Sequence, residues 1–174
     1  MKNTFREKLS RGAATLGTHF LSADADVPEI IGDTGLFDYG EFCAEYSTFD
    51  MQTLYHLARA GQCADLPLML KPDQASQTFW AQAALGAGFK AILFTDIRTA
   101  DDVAVCHRAI TADTPEIGGL MGVKLRRPAL SGYQPEGYLD DLNATVFTIM
   151  IEKNVALDDI DAIVGEIKTL AANI

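Results

Sequence analysis

Short apolar runs alternate with longer segments of helical periodicity along this chain of 174 residues. The helical segment that follows the second run, for example, places Met51, Leu54, Leu57 and Ala58 on one face. Repeated strand–helix units of this kind indicate a parallel sheet with helices packed outside it. The predicted strands are 14–20, 37–44, 66–70, 91–95, 118–123 and 145–151; the predicted helices are 24–32, 50–60, 77–85, 99–110 and 157–170; and 126–137 is predicted to be a loop.

The predicted sheet is either an open doubly wound sheet or a barrel, because the pattern alone fits both. Continuous apolar strands such as 91–94 suit a sheet that is covered on both faces. The sequence has no G-x-G-x-x-G after its first strand and no Walker-type phosphate loop, which weakens the case for a nucleotide-binding sheet. We therefore favour a parallel (β/α) barrel and expect a single α/β domain over residues 1–174.

Composition narrows the set of partners. A net charge of −10 argues against a nucleic-acid backbone or an anionic membrane as the binding surface. No apolar run is long enough to span a bilayer, and the first residues lack the apolar core of a secretory signal. The three cysteines, Cys43, Cys63 and Cys106, fit neither a disulfide framework nor a zinc site. We therefore expect a cytoplasmic protein.

Ionisable side chains directly follow three of the predicted strands. Glu45 and Tyr46 follow the second strand, Lys71 the third and Glu152 the last. Ligands bind at the carboxyl ends of parallel strands, so these side chains are expected to line one shared pocket. Glu152 suits either a helix start, where the dipole favours a carboxylate, or an oxygen ligand for Mg²⁺ or Mn²⁺.

Each of the other candidates also has a plainer interpretation. Lys71 has three interpretations. It is a solvated lysine, or it neutralises an oxyanion in the pocket, or, with a lowered pKa, it forms an imine with a ketone. The ring of Tyr46 can simply lie over the barrel rim. His19, at the end of the first strand, is either an exposed histidine or a substrate contact. Two further pairs are interpreted as structural or solvated loop residues, namely Asp96 with Arg98, and Arg126 with Arg127.

Four motifs, taken in order, resemble the HpcH/HpaI family of metal-dependent pyruvate aldolases: FDYGEFCAEYSTFD, LMLKPD, GAGFKAILFTDIRTADD and IMIEKNVALDDID. The resemblance runs from about Phe5 to the last residue. It implies a (β/α)₈ barrel of the phosphoenolpyruvate/pyruvate superfamily. It also implies a carbon–carbon lyase that cleaves or forms a 4-hydroxy-2-oxo acid, giving pyruvate and an aldehyde. A divalent metal, Mg²⁺ or Mn²⁺ with Co²⁺ as an alternative, would hold the pyruvate enolate.

By position, the resemblance also implies roles for five residues of this sequence. Glu152 matches the first metal ligand, and Lys71 matches the arginine that stabilises the enolate oxygen. Glu45 matches the glutamate of the family's Gly-Glu-His signature, while Tyr46 replaces the histidine linked to the general base. His19 stands where the family often has a pocket tryptophan. Catalytic roles are thus implied for Lys71, Glu45 and Tyr46, and substrate contacts for Lys71 and His19.

The sequence departs from the family pattern in several places. Ala44 replaces a glycine, Cys43 an aspartate that supports the arginine, and Met150 a glutamine. The family's second metal ligand, an aspartate in a Gly-Pro-Ala-Asp-type motif, has no counterpart here, and neither do strands seven and eight. We therefore expect an incomplete barrel of about six βα units, whose unpaired strand edges invite association into a homo-oligomer. The alternative is a non-catalytic or half-site protein that needs a partner or a further segment.

Overall fold

The computed structural model of the chain describes residues 2–123 and 135–172. Five parallel strands in this part of the chain form one sheet, and their order in the sheet is their order in the sequence. This arrangement confirms the predicted parallel α/β sheet. The strands are β1 (Gly17–Phe20), β2 (Tyr39–Cys43), β3 (Leu68–Lys71), β4 (Ala91–Phe94) and β5 (Val146–Ile149).

Helices occupy every connection between neighbouring strands. Two of these helices begin with a capping box. Asp50 exchanges hydrogen bonds with Thr53 in one of them, and Thr99 with Asp102 in the other. Two short 3₁₀ helices, Ala44–Tyr46 and Gln74–Ser76, follow β2 and β3. The α-helices are α1 (Thr4–Ser10), α2 (Asp26–Asp33), α3 (Met51–Cys63), α4 (Gln77–Ala87), α5 (Ala100–Ile110), α6 (Pro135–Asn143), α7 (Asn154–Asp158) and α8 (Ile160–Ala172).

The strand predicted over 118–123 is wrong. A single parallel bridge between Ala112 and Met121 is the pairing that the structure gives this segment. The neighbour of β4 is instead β5, which pairs with it along all four residues. Gly118 has φ 70, a left-handed conformation typical of a turn rather than of a strand. The described sheet therefore has one strand fewer than the periodicity predicts.

The loop predicted over 126–137 is only partly testable. Residues 126–134 lie outside the described residues, and so do Arg126 and Arg127. From Pro135 onward the chain is helical and forms α6, so this part of the prediction is wrong. Proline fits the first turn of a helix, where its missing N–H has no partner to lose.

The main core lies between the sheet and the helices. Its largest fully buried side chains on the sheet include Phe42, Leu70, Ile92 and Phe94, which alternate with side chains of the opposite face. On the opposite face of the sheet, which we call the inner face, a smaller cluster of Phe5, Met69, Ala91 and Val146 packs together. Helix α1, which the sequence pattern did not predict, supplies Phe5 to this cluster.

Helix α1 is fixed against the amino-terminal ends of the strands. The side-chain amide of Asn3, which is buried, donates to the carbonyl of Lys90 at 2.9 Å and to that of Ala144 at 2.8 Å. The ring of Phe5 stacks on Tyr39 with the ring centroids 4.3 Å apart. The amino-terminal side of the sheet is therefore covered, and the carboxyl ends of the strands lie at the opposite side.

Two further observations concern membrane-spanning helices and the cysteines. Within the two described ranges no helix combines the length and the apolar character that crossing a membrane requires. All three cysteines are free, with Cys43 and Cys106 buried and Cys63 exposed.

Candidate functional site

Lys71 and Glu45 form an ion pair at the carboxyl ends of two neighbouring strands. Lys71 is the last residue of β3, and Glu45 lies in the 3₁₀ helix that follows β2. The Nζ of Lys71 lies 2.6 Å from Oε2 of Glu45. Lys71 is only 8% exposed, and an ammonium group removed from water needs an opposite charge to remain ionised. Glu45 supplies that charge.

The pKa of Lys71 lies above its ordinary value. Burial alone would lower this pKa, but the hydrogen bond to Glu45 and the nearby negative charges outweigh desolvation. Cys43, the register partner of Lys71 on β2, contributes little charge at neutral pH because burial raises the pKa of its thiol. Lys71 is therefore a lasting cation. This state suits the neutralisation of an oxyanion and disfavours the imine chemistry, which requires a free amine.

Tyr46 lies beside this pair. Its ring centroid is 5.1 Å from the Nζ of Lys71, within the range of a cation–π contact, although the residue is 72% exposed. The negative charge of Glu45 raises the pKa of the phenol, with Lys71 acting in the opposite direction. Tyr46 thus remains a protonated phenol at neutral pH, which makes it a hydrogen-bond donor rather than a base.

Glu152 lies at the carboxyl ends of β4 and β5, one strand beyond Lys71. Its Oε1 accepts a hydrogen bond from the backbone amide of Asp96 at 3.3 Å, and the residue is exposed. The carboxylate of Asp96 in turn lies 2.7 Å from the Nζ of Lys153. The hydrogen bond from Lys153 is the main reason that the pKa of Asp96 is lowered. Asp96 is thus paired with Lys153 and not with Arg98, with which the sequence analysis grouped it as a structural loop pair.

The residues around Glu152 fit a divalent cation at one ligand position. A carboxylate oxygen is the donor that Mg²⁺ and Mn²⁺ prefer. However, the described ranges contain no group of three or more His, Cys, Asp or Glu side chains that could hold a metal ion. Glu152 would therefore be one ligand among others that come from water, from the substrate or from another segment.

His19 lies on β1, apart from the Lys71–Glu45 pair, and its side chain is exposed. Its register partner on β2 is Glu41, so the two side chains emerge on the same face of the sheet. Along β2, Tyr39 and Cys43 lie two residues before and after Glu41 and therefore share its face. The inner face therefore carries a carboxylate, Glu41, between His19 on one side and Lys71 on the other.

Glu41 is the residue that the sequence analysis missed. It is half-buried, and desolvation raises the pKa of its carboxyl group, with the charges of Lys71 and His19 acting in the opposite direction. A signal for it existed in the sequence: a glutamate in the middle of the strand predicted over 37–44 conflicts with burial on both faces. Attention to strand ends alone passed over this position.

A shallow groove of about 380 Å³ lies between the segment after β1 and the start of α3. Asp24, Asp50 and His56 are among the residues that line it, and none of the predicted site residues does. Asp50 already serves as the cap of α3. The structure therefore brings Lys71, Glu45 and Tyr46 together and places Glu152 at the next strand ends. It places Glu41 on the same face of the sheet as Lys71, whereas His19 lies apart from the pair on β1.

Comparisons with known proteins show which family this chain resembles. No family model matches the chain. The 2-keto-3-deoxy-L-rhamnonate aldolase of Shigella boydii serotype 4 (strain Sb227) is 26% identical over 164 residues, which cover 94% of this chain. An HpcH/HpaI aldolase/citrate lyase family protein from Burkholderia cenocepacia J2315 superposes with a TM-score of 0.77 at 23% identity, over 93% of this chain and 64% of its own. The resemblance to the HpcH/HpaI aldolases is confirmed.

The citrate synthase SbnG has the same fold, with a TM-score of 0.78 at 18% identity over 93% of this chain and 61% of that one. At these identities the two solved structures establish the fold alone. They confirm an incomplete barrel of the HpcH/HpaI type, since five consecutive strands match part of each barrel. The chain spans about 60% of the length of the curated relatives that it matches.

Proposed function

We propose that this chain carries the pyruvate-binding part of a metal-dependent carbon–carbon lyase, which cleaves or forms a 4-hydroxy-2-oxo acid and releases pyruvate and an aldehyde. The observation that carries the proposal is the buried Lys71–Glu45 pair, 2.6 Å apart, at the carboxyl ends of β2 and β3. Its support from outside is the 26% identity with a named keto-acid aldolase.

The role of Lys71 in this reaction is electrostatic. Breaking the carbon–carbon bond leaves negative charge on the former carbonyl oxygen of the keto acid. An ammonium group that is fixed in place and shielded from water stabilises such a charge strongly, because it needs no reorganisation when the charge develops. The hydrogen bond to Glu45 fixes this ammonium group, and the ring of Tyr46 makes a cation–π contact with it.

A divalent cation, Mg²⁺, Mn²⁺ or Co²⁺, would supply Lewis-acid polarisation of the keto acid when bound. Glu152 is the ligand that this chain offers to it. The exposed position of Glu152 leaves room for the substrate and for further ligands at the ends of β4 and β5.

The test is the release of pyruvate from a panel of 4-hydroxy-2-oxo acids, followed with lactate dehydrogenase. The purified chain is assayed with Mg²⁺, Mn²⁺, Co²⁺ or EDTA. We expect cleavage that needs the metal and that falls by at least about 100-fold in Lys71→Met, because one oxyanion-stabilising group has an effect of this size. Lys168→Met, which changes an exposed lysine of α8, is the matched control.

The same assay separates the metal-dependent route from the imine route. Borohydride added together with pyruvate traps an imine as a stable adduct that peptide mass mapping locates. An adduct on Lys71 would contradict the metal-dependent proposal. EDTA-sensitive turnover without an adduct would support it.

A second candidate is a half-site protein that requires a partner or a further segment for activity, as a homo-oligomer or otherwise. Two observations favour it: the chain spans about 60% of its curated relatives, and its described residues contain no group of three metal-ligating side chains. Absence of turnover across the whole panel, from a chain whose mass equals 174 residues, would favour this candidate. Full activity of that chain would remove it.

A further inference from the structure

Glu41 is a second carboxylate of the candidate site, and the roles set out above do not use it. It lies on β2 with His19 as its register partner on β1 and Met69 as its register partner on β3. Lys71 is two residues beyond Met69 and is therefore on the same face, one step nearer the strand ends. Glu41 thus lies on the same face as Lys71, on the neighbouring strand and two residues further from the strand ends.

The carboxylate of Glu41 has no hydrogen-bond or ion-pair partner among the described residues. Glu45, in contrast, is bound to Lys71. The titratable groups that face it are His19 from β1, Tyr39 and Cys43 from β2, and Lys71 from β3. Partial burial raises the pKa of Glu41 toward the range in which a carboxylate becomes a more effective base.

The other groups of the site are less suited to proton transfer. The negative charge of Glu45 is balanced by the ammonium group of Lys71, whose Nζ lies 2.6 Å from Oε2 of Glu45. Tyr46 stays protonated because its pKa is raised, and the same holds for the thiol of Cys43. Among the described side chains around Lys71, Glu41 is therefore the carboxylate that is both unpaired and accessible.

On the basis of the lyase function proposed above, we propose that Glu41 is the catalytic residue that takes the hydroxyl proton of the substrate and returns it to the enolate carbon. The O–H bond at C4 breaks and its proton moves to the carboxylate of Glu41. The C3–C4 bond then breaks as the aldehyde carbonyl forms, and its electron pair moves through C3 onto the carbonyl oxygen at C2, beside Lys71. Finally C3 takes the proton from Glu41, which yields the methyl group of pyruvate and restores the carboxylate.

The experiment measures two reactions of the same protein. The first is cleavage of a 4-hydroxy-2-oxo acid, and the second is exchange of the methyl protons of pyruvate for deuterium in D₂O, followed by proton NMR. In Glu41→Gln we expect kcat to fall by at least about 100-fold with KM changed by less than about threefold, since a positioned acid–base group has an effect of this size. Exchange should be lost as well. Glu29→Gln, an exposed glutamate of α2, is the control for loss of a negative charge.

Two further variants separate chemistry from structure. Glu41→Asp keeps the carboxylate and should keep part of both activities. Glu41→Ala should recover exchange when formate is added, because a small carboxylate can occupy the vacated space and accept the proton. Recovery by formate would not follow from a structural role, and thermal melting followed by circular dichroism shows whether each variant is folded.

The outcomes are distinct. Cleavage by Glu41→Gln within about threefold of the unmodified chain would overturn the role of Glu41 and leave the lyase function standing. Exchange without cleavage, lost in Glu41→Gln, would support Glu41 and overturn only the proposed substrate. Neither cleavage nor exchange in the unmodified chain would overturn the lyase function and the role of Glu41 together.

Discussion

Lys71 and Glu45 meet across the ends of β2 and β3; they are 26 positions apart in the sequence, and Nζ lies 2.6 Å from Oε2. Desolvation and the carboxylate act in opposite directions on the pKa of the lysine, and the carboxylate prevails. Glu45 thereby favours the charged state of Lys71. The charge of Lys71 is consequently a property of the pair, and this makes it testable.

Replacement of Glu45 by glutamine should lower the pKa of Lys71. Without the carboxylate, desolvation is the largest remaining influence, and it favours the neutral amine. The measurement is the pH dependence of amine acetylation at Lys71, followed by peptide mass spectrometry, with Glu29→Gln as the control. Because the pKa of Lys71 is raised in the folded chain, the stabilisation from the pair is complete below the unfolded pKa and is lost as the pH rises through the folded pKa. An unchanged acetylation profile in Glu45→Gln would contradict this account.

The pH dependence of cleavage should follow Glu41. A base is needed in its ionised form, and burial raises the pKa of this carboxyl group. The acidic limb of kcat/KM should therefore lie above the ordinary range of a glutamate, with activity lost as the pH falls through the raised pKa. This limb should vanish in Glu41→Gln and persist in Glu29→Gln. A limb that is identical in both variants would assign the titration to another group.

Glu152→Gln should weaken the binding of Mn²⁺. The substitution keeps the size of the side chain but removes the charged oxygen that a hard cation prefers. Isothermal titration of Mn²⁺ in the presence of pyruvate measures the affinity without reference to turnover, and we expect a loss of at least about tenfold. Glu116→Gln, an exposed glutamate in the turn after α5, is the control. Equal affinities in the two variants would remove Glu152 from the metal shell.

Asn3→Ala should destabilise the fold. The substitution removes the donor to the carbonyl of Ala144, while the carbonyl of Lys90 keeps its hydrogen bond from the backbone amide of Val146, and a lost buried partner costs about 1–3 kcal/mol. Urea unfolding measures the change in the free energy of unfolding. Lys2→Ala, its exposed neighbour, should change it by less than about 0.5 kcal/mol. If the two variants unfold at the same urea concentration, Asn3 does not fix α1.

The elements that the sequence predicts well are those whose signals are local. The helix predicted over 99–110 matches α5, whose first turn carries the local signal of a threonine before a helical run; the structure gives Thr99 a full capping box. The apolar runs at β3, β4 and β5 were likewise recognised from composition alone. Such signals depend on neighbours in the sequence, so the rest of the fold does not alter them.

The elements that the sequence predicts poorly depend on distant contacts. The apolar segment 118–123 has the composition of a strand, but β4 already has β5 as its neighbour. Helix α1 is short and weakly patterned, and its place is fixed by residues 90 and 144. Glu41 is a candidate site residue because His19 and Lys71 on the neighbouring strands share its face. Only the register of the strands reveals that these three residues share a face.

The two hydrogen bonds of Asn3 also have a consequence for folding during synthesis of the chain. The two acceptors lie 87 and 141 positions later in the chain. During synthesis on the ribosome, α1 can therefore complete these two hydrogen bonds only after Ala144 has emerged, although its contact with Tyr39 becomes available much earlier. The cover on the amino-terminal side of the sheet therefore depends on two hydrogen bonds that need residues 3, 90 and 144 to be in place together.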